Sequence, residues 1–118
     1  MAGKIIADTL ETGAGADIAT SYVVNGSAKA WANFDTDAVI NESFNGSSIT
    51  DQGTGDFQLS LTNSMSSTDF VQITGSDNTK HFQGSTKTTS ITRILTFTNA
   101  HSYGDENGMN ILVHGDLA

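Results

Sequence analysis

Apolar side chains recur at every second position in several short runs, the spacing that places them on one face of an extended strand. Phe57, Leu59 and Leu61 alternate with Gln58, Ser60 and Thr62 in the plainest case. Ile91, Arg93, Leu95 and Phe97 alternate with Thr92, Ile94 and Thr96, and Met109, Ile111 and Val113 alternate with Asn110, Leu112 and His114. Residues 38–44 and 70–74 read the same way. Both faces of the 91–97 and 109–113 runs carry apolar groups, which predicts central strands covered on both sides by a second layer or by another subunit. Ala28, Ala30, Ala32 and Phe34 alternate with Lys29, Trp31 and Asn33; the segment is Ala-rich, yet the alternation predicts a strand.

Turn formers punctuate these runs: Asn25-Gly26, Asn45-Gly46, Gln52-Gly53-Thr54-Gly55, Gly75-Ser76-Asp77-Asn78 and Asp105-Glu106-Asn107-Gly108. They supply positive φ and side chains that bond to their own backbone. Short strands with such spacing predict an all-β fold, an antiparallel β-sandwich or barrel-like module over residues 21–118, with little support for helix. The first twenty residues read as a short N-terminal arm. Lys4-Ile5-Ile6-Ala7 is a short extended or helical piece, and Thr12-Gly13-Ala14-Gly15-Ala16 is a flexible joint. Ile5, Ile6 and Leu10 are the arm's candidate anchoring residues.

Composition thins the expected core. Leu, Ile, Val and Phe make up about a fifth of the 118 residues, little more than a highly charged chain needs to fold at all. A domain of this size buries roughly two thirds of its unfolded surface, so some of that burial is expected to come from neighbouring copies. With 13 acidic and 5 basic side chains, a formal charge of −8, no cationic stripe is available to neutralise phosphates, which argues against nucleic acid as a partner. No run approaches the length of a membrane span, and the N-terminus lacks the basic head and apolar stretch of a signal peptide. Zero Cys removes disulfides, thiolate zinc sites and a Cys nucleophile.

Candidate chemistry is sparse. His81, His101 and His114 match no ligand spacing, although a three-fold axis would bring three copies of one of them together around a metal. The acid-rich turns 51–56 and 105–108 offer hard oxygens but lack the twelve-residue calcium pattern, and ordinary turn chemistry accounts for them better. Gly-x-Ser-x-Gly and both phosphate-loop motifs are absent, so neither an enzyme nor a cofactor is expected. Trp31 is the single Trp: a sugar-stacking platform in one reading, a core or subunit contact in the other.

Two stretches carry a family resemblance. Val24-Asn25-Gly26-Ser27-Ala28-Lys29-Ala30-Trp31-Ala32-Asn33-Phe34, followed by Ser43-Phe44-Asn45-Gly46-Ser47-Ser48-Ile49-Thr50-Asp51-Gln52-Gly53-Thr54-Gly55-Asp56-Phe57, resembles a module of tail-fibre and other virion structural proteins of tailed bacteriophages. The module's Lys-Ala-Trp-x-Asn-Phe strand leads after a turn to Ser-Ser-Ile-Thr-Asp-x-Gly-Thr-Gly-Asp. Asn110 to Asp116 resembles its closing strand, so about 95 of the 118 residues fall within the likeness. This chain has Asp35-Thr36-Asp37 where the module usually has a Gly-rich turn, and no Pro near Met65.

The resemblance implies a non-enzymatic virion part with no catalytic residue. Such parts are commonly homotrimers. The expected role is a tail fibre or receptor-binding appendage that contacts a host-surface glycan or protein, made in the host cytoplasm and joined to other virion proteins through the arm. The alternative is a capsid decoration protein that stabilises the shell. Neither requires nucleic-acid binding or membrane insertion.

Overall fold

A computed structural model describes residues 3–77 and 81–118. In chain order the elements are β1 Thr9–Glu11, β2 Asp17–Ala19, α1 Thr20–Gly26, β3 Ala30–Phe34, β4 Ile40–Phe44, β5 Gly46–Gly53, β6 Asp56–Leu61, β7 Val71–Gly75, β8 His81–Lys87, β9 Ile91–Phe97 and β10 Met109–His114. The last eight strands form two four-stranded antiparallel sheets, ordered β4-β3-β10-β7 and β5-β6-β9-β8. The fold is an all-β sandwich, as the alternation predicts. Both two-faced apolar runs, β9 and β10, are interior strands of their sheets.

The sheets meet at both edges. On one side only Asn45 separates β4 from β5, with φ of 55°, a left-handed conformation that Asn tolerates better than most residues. Its side chain ties the corner, with Nδ2 donating to Lys29 O at 3.0 Å and Asn63 O at 3.1 Å, and Oδ1 accepting from Asn63 N at 2.7 Å. On the other side Gln72 of β7 donates from Nε2 to Arg93 O of β9 at 2.7 Å. Its amide lies over Gly84 of β8, where an added Cβ would come within 2.9 Å of Gln72 Oε1. Lys87 Nζ donates to Phe70 O at 2.6 Å beside the same edge.

Between the sheets lie Ala30, Ala32 and Phe34 of β3, Phe57, Leu59 and Leu61 of β6, Ile94 of β9, and Met109, Ile111 and Val113 of β10, closed at one end by Met65 and Phe70. Phe34 and Phe57 meet across the layer with ring centroids 5.7 Å apart. β9 turns its more polar side inward: Thr92, Ile94 and Thr96 are buried, while Ile91, Arg93, Leu95 and Phe97 face out and are half-buried. Register explains this. Phe57 pairs with Ile94 and Leu59 with Thr92, and directly opposed residues share a face, so the large apolar groups of β6 fix which side of β9 goes in.

The N-terminal part differs from expectation in two respects: Thr12 to Ala16, expected as a flexible joint, is a hairpin turn closed by Thr12 N donating to Ala16 O at 2.9 Å, and a helix follows it. β1 and β2 pair as a hairpin around Gly15, whose φ is 79°, and a seven-residue helix follows, ending at Asn25-Gly26. The alternation gave no sign of this helix, because Thr20, Val23 and Val24 are β-branched and no side chain caps its start. The boundary expected at residue 20 falls where β2 passes into α1. None of residues 3–27 is buried. Of the expected turns, 53–55 and 105–108 are turns with positive φ at Gly53, Gly55 and Gly108; Asn78 of the 75–78 turn lies outside the described residues.

Candidate functional site

The outer side of the β4-β3-β10-β7 sheet carries a row that the strand registers align. Phe44 of β4 stands opposite Trp31 of β3, Trp31 opposite Leu112 of β10, and Leu112 opposite Ile73 of β7. One apolar side chain from each of the four strands therefore lies on a line across the whole sheet. Phe44 is 54% exposed and Ile73 56% exposed; Trp31 and Leu112, flanked on both sides, are half-buried. Val71, 59% exposed, extends the patch along β7, opposite His114. A shallow hollow in this face is lined by Trp31, Asn33, Ile73, Asn110 and Leu112.

Next to the apolar row runs a line of amides. Asn41 Nδ2 donates to Asn33 Oδ1 at 2.8 Å, Asn33 Nδ2 to Asn110 Oδ1 at 2.8 Å, and Asn110 Nδ2 to Gly108 O at 2.9 Å. These bonds link the amides to one another and to the backbone without adding charge. Among the described strand residues, Glu42, opposite Asn33, and His114 are ionisable groups on this face. The face can bind by burial and amide contact. It holds no nucleophile with a base beside it.

The arm's candidate anchors are open. Ile5 is 92%, Ile6 82% and Leu10 44% exposed. They line a second shallow hollow together with Thr20, Val23 and Val24 of α1, shaped by Thr20 Oγ1 donating to Ala7 O at 2.8 Å and Thr20 N donating to Asp8 O at 2.9 Å.

The histidines are scattered. His81 and His101 stack with centroids 5.2 Å apart, and His114 lies on the other sheet. Among the described residues no three of His, Asp or Glu gather in a way that would hold a metal ion. The acid-rich turns spend their oxygens on backbone: Asp51 Oδ1 accepts from Gly53 N at 2.8 Å and Asp105 Oδ1 from Gly55 N at 2.6 Å. No helix among the described residues is long and apolar enough to cross a membrane.

The motif of the second resemblance stretch is a hairpin, β5 turning into β6. Gly55, at φ of 68°, backs onto β9 so closely that an added Cβ would sit 2.5 Å from Thr96 O. Its N–H is held by Asp105, and its own carbonyl accepts from Thr96 N at 2.8 Å. Trp31, from the first stretch, is at the middle of the apolar row. Its row partners Phe44, Ile73 and Leu112, and Val71 beside them, were not singled out from the sequence. Each sits in an alternating run, but only the pairing of residues distant in the chain shows that they share one line.

No protein family, curated protein or solved structure matches the chain.

Proposed function

We propose that this protein is a non-enzymatic structural subunit of a tailed-phage virion, a tail-fibre or receptor-binding appendage assembled as a homotrimer. The observation that carries this reading is the use to which the motif residues are put. Lys29 is a buried tether, its Nζ donating to Val24 O and to Ser27 Oγ. Trp31 is a surface apolar group in a four-strand row, and Gly53, Gly55 and Asp56 build the β5–β6 turn. A motif spent on shape and surface, with no reactive group at its centre, suits a building part. The acidic balance, −8 in 118 residues, suits a particle that must display many copies without clumping.

An antibody raised against the purified chain and applied to intact particles of the phage that encodes it tests the reading. Label along the tail is the expected result. Label confined to the shell would replace the appendage with a capsid decoration role, and absence of the chain from purified particles would overturn the virion assignment.

A further inference from the structure

We propose that the apolar surface of the N-terminal hairpin and helix of one copy packs on the outer face of the β4-β3-β10-β7 sheet of the next copy, a head-to-tail contact repeated around the assembly. This rests on the homo-oligomer in the proposed function and names its interface.

Three observations support it. The chain is too open for a self-sufficient monomer: its accessible surface is 7110 Å², whereas a monomeric protein of 12.4 kDa exposes about 6,100 Å². The excess of about 1,000 Å² is of the order of the ~800 Å² that one partner contributes to a stable interface, and in a head-to-tail ring each copy contributes two such surfaces. The radius of gyration, 16.8 Å, likewise exceeds the about 13.5 Å of a compact chain of this length. Second, two apolar surfaces of matching kind lie on different parts of the chain. Ile5, Ile6, Leu10, Val23 and Val24 are exposed on one, and Val71, Ile73 and Phe44 on the other.

Third, charge favours this pairing over the meeting of two sheet faces. A chain at −8 repels its own copies except where uncharged or basic surface meets the acidic side. The N-terminal hollow is lined by Lys4 beside Ile5 and Ile6, while the acids of the hairpin, Asp8, Glu11 and Asp17, lie outside that lining. The sheet face carries Glu42 at its rim. Two sheet faces meeting each other would bring Glu42 against a like face. A single flat face is also small, roughly 14 Å between its outer strands, and short of a standard interface unless the N-terminal surface joins it.

Paired variants of the full chain test this. Ile5→Glu with Ile6→Glu disrupts the N-terminal surface, and Phe44→Glu with Ile73→Glu disrupts the sheet face. All four positions are more than half exposed, so each double variant is expected to keep the wild-type circular dichroism. Light scattering is expected to give wild-type particles of three times the 12.4 kDa chain mass and monomers for each variant alone. Mixing the two variants is expected to restore one contact and stop at a 1:1 dimer, because the intact N-terminus of one fits the intact sheet of the other. A wild-type monomer would remove the homo-oligomer itself. A variant N-terminus that leaves the trimer intact, or two monomeric variants that stay monomeric on mixing at a hundredfold excess over the wild-type assembly concentration, would overturn the proposed interface while leaving the trimer standing.

Discussion

On the outer side of the β5-β6-β9-β8 sheet, Arg93 reaches diagonally to Asp56, with Nε donating to Oδ1 at 3.1 Å and Nη2 to Oδ2; Gln58 stands opposite Arg93 and Gln83 opposite Leu95. At the corresponding place on the other sheet stand Trp31 and Leu112, with Phe44 and Ile73 at the ends of the line. Both faces cover the same core and both are β-pleated. One sets its outward apolar residues against polar ones, Ile91 opposite Ser60, Leu95 between Asp56 and Gln83, and Phe97 opposite His81, and the other presents a continuous apolar line across all four strands. Scattered surface hydrophobes are ordinary, whereas an aligned row across every strand of a sheet is the kind of surface that the proposed contact between copies would use. If copies assemble as proposed, the same fold contains a solvent face and an assembly face, and the difference resides in a few outward positions.

The largest effect should leave that difference untouched. Phe57 is fully buried between the layers, and Phe57→Ala is expected to lower unfolding free energy by about 3–5 kcal/mol. Urea titration followed by circular dichroism measures it. A loss under 1 kcal/mol would mean that the two faces do not share one cooperative core, and the comparison would fail at its base.

A smaller pair of effects, opposite in sign, sharpens the view of β9. Thr92 is buried and its Oγ1 has no hydrogen-bond partner, whereas Thr96 Oγ1 donates to Gly104 O. A buried hydroxyl without a partner costs about 1–3 kcal/mol, and a satisfied one contributes about 1 kcal/mol. Thr92→Val, which keeps the shape, is therefore expected to stabilise by ~1 kcal/mol or more, and Thr96→Val to destabilise by ~1 kcal/mol. The same urea titration separates them. Equal signs would show that the hydrogen bond to Gly104 O does not distinguish the two buried hydroxyls.

On the charged face the expected coupling is weaker. Arg93 and Asp56 are 28% and 21% exposed at the side chain, so water reaches the pair. A double-mutant cycle with Arg93→Gln and Asp56→Asn should give a coupling of about 0.5–1 kcal/mol that shrinks in high salt. A coupling that survives 1 M salt would show the charged face to be drier than its exposure indicates.

The strands and their inward sides were legible because alternation is local. Phe57-Leu59-Leu61 and Met109-Ile111-Val113 name their own buried faces, and Asn45-Gly46 announces a corner. The β9 reversal was not legible, since Ile91, Leu95 and Phe97 outweigh Thr92 and Thr96 in a single run, and only pairing with β6 decides. The helix at Thr20–Gly26 escaped because its β-branched residues favour strand, and what holds its first residue, Thr20 N and Oγ1 donating to Asp8 O and Ala7 O, joins residues twelve or thirteen apart. Of the candidate face, Trp31 stood out as the only Trp. Its neighbours did not, because the line joining Phe44, Trp31, Leu112 and Ile73 exists only once residues up to 81 positions apart are placed side by side.

The smallest expected effect is also the sharpest test of the contrast. Ile73 sits on an edge strand with 56% of its surface in water, so within a single chain its side chain is only partly removed from solvent. At nanomolar protein, below assembly, Ile73→Ser should change unfolding free energy by less than ~0.5 kcal/mol, the range of ordinary surface substitutions. The equivalent outward change on the other sheet, Gln83→Ser, should be just as mild. At micromolar protein the two should part: sedimentation should show Ile73→Ser shifted toward monomer and Gln83→Ser unchanged, because only one of the two positions is buried when copies meet. If both variants assemble like wild type, the apolar line is mere surface and the two faces are equivalent in function. If Ile73→Ser already destabilises the isolated chain by 2 kcal/mol or more, the row belongs to the fold of the single chain and its role in contact disappears.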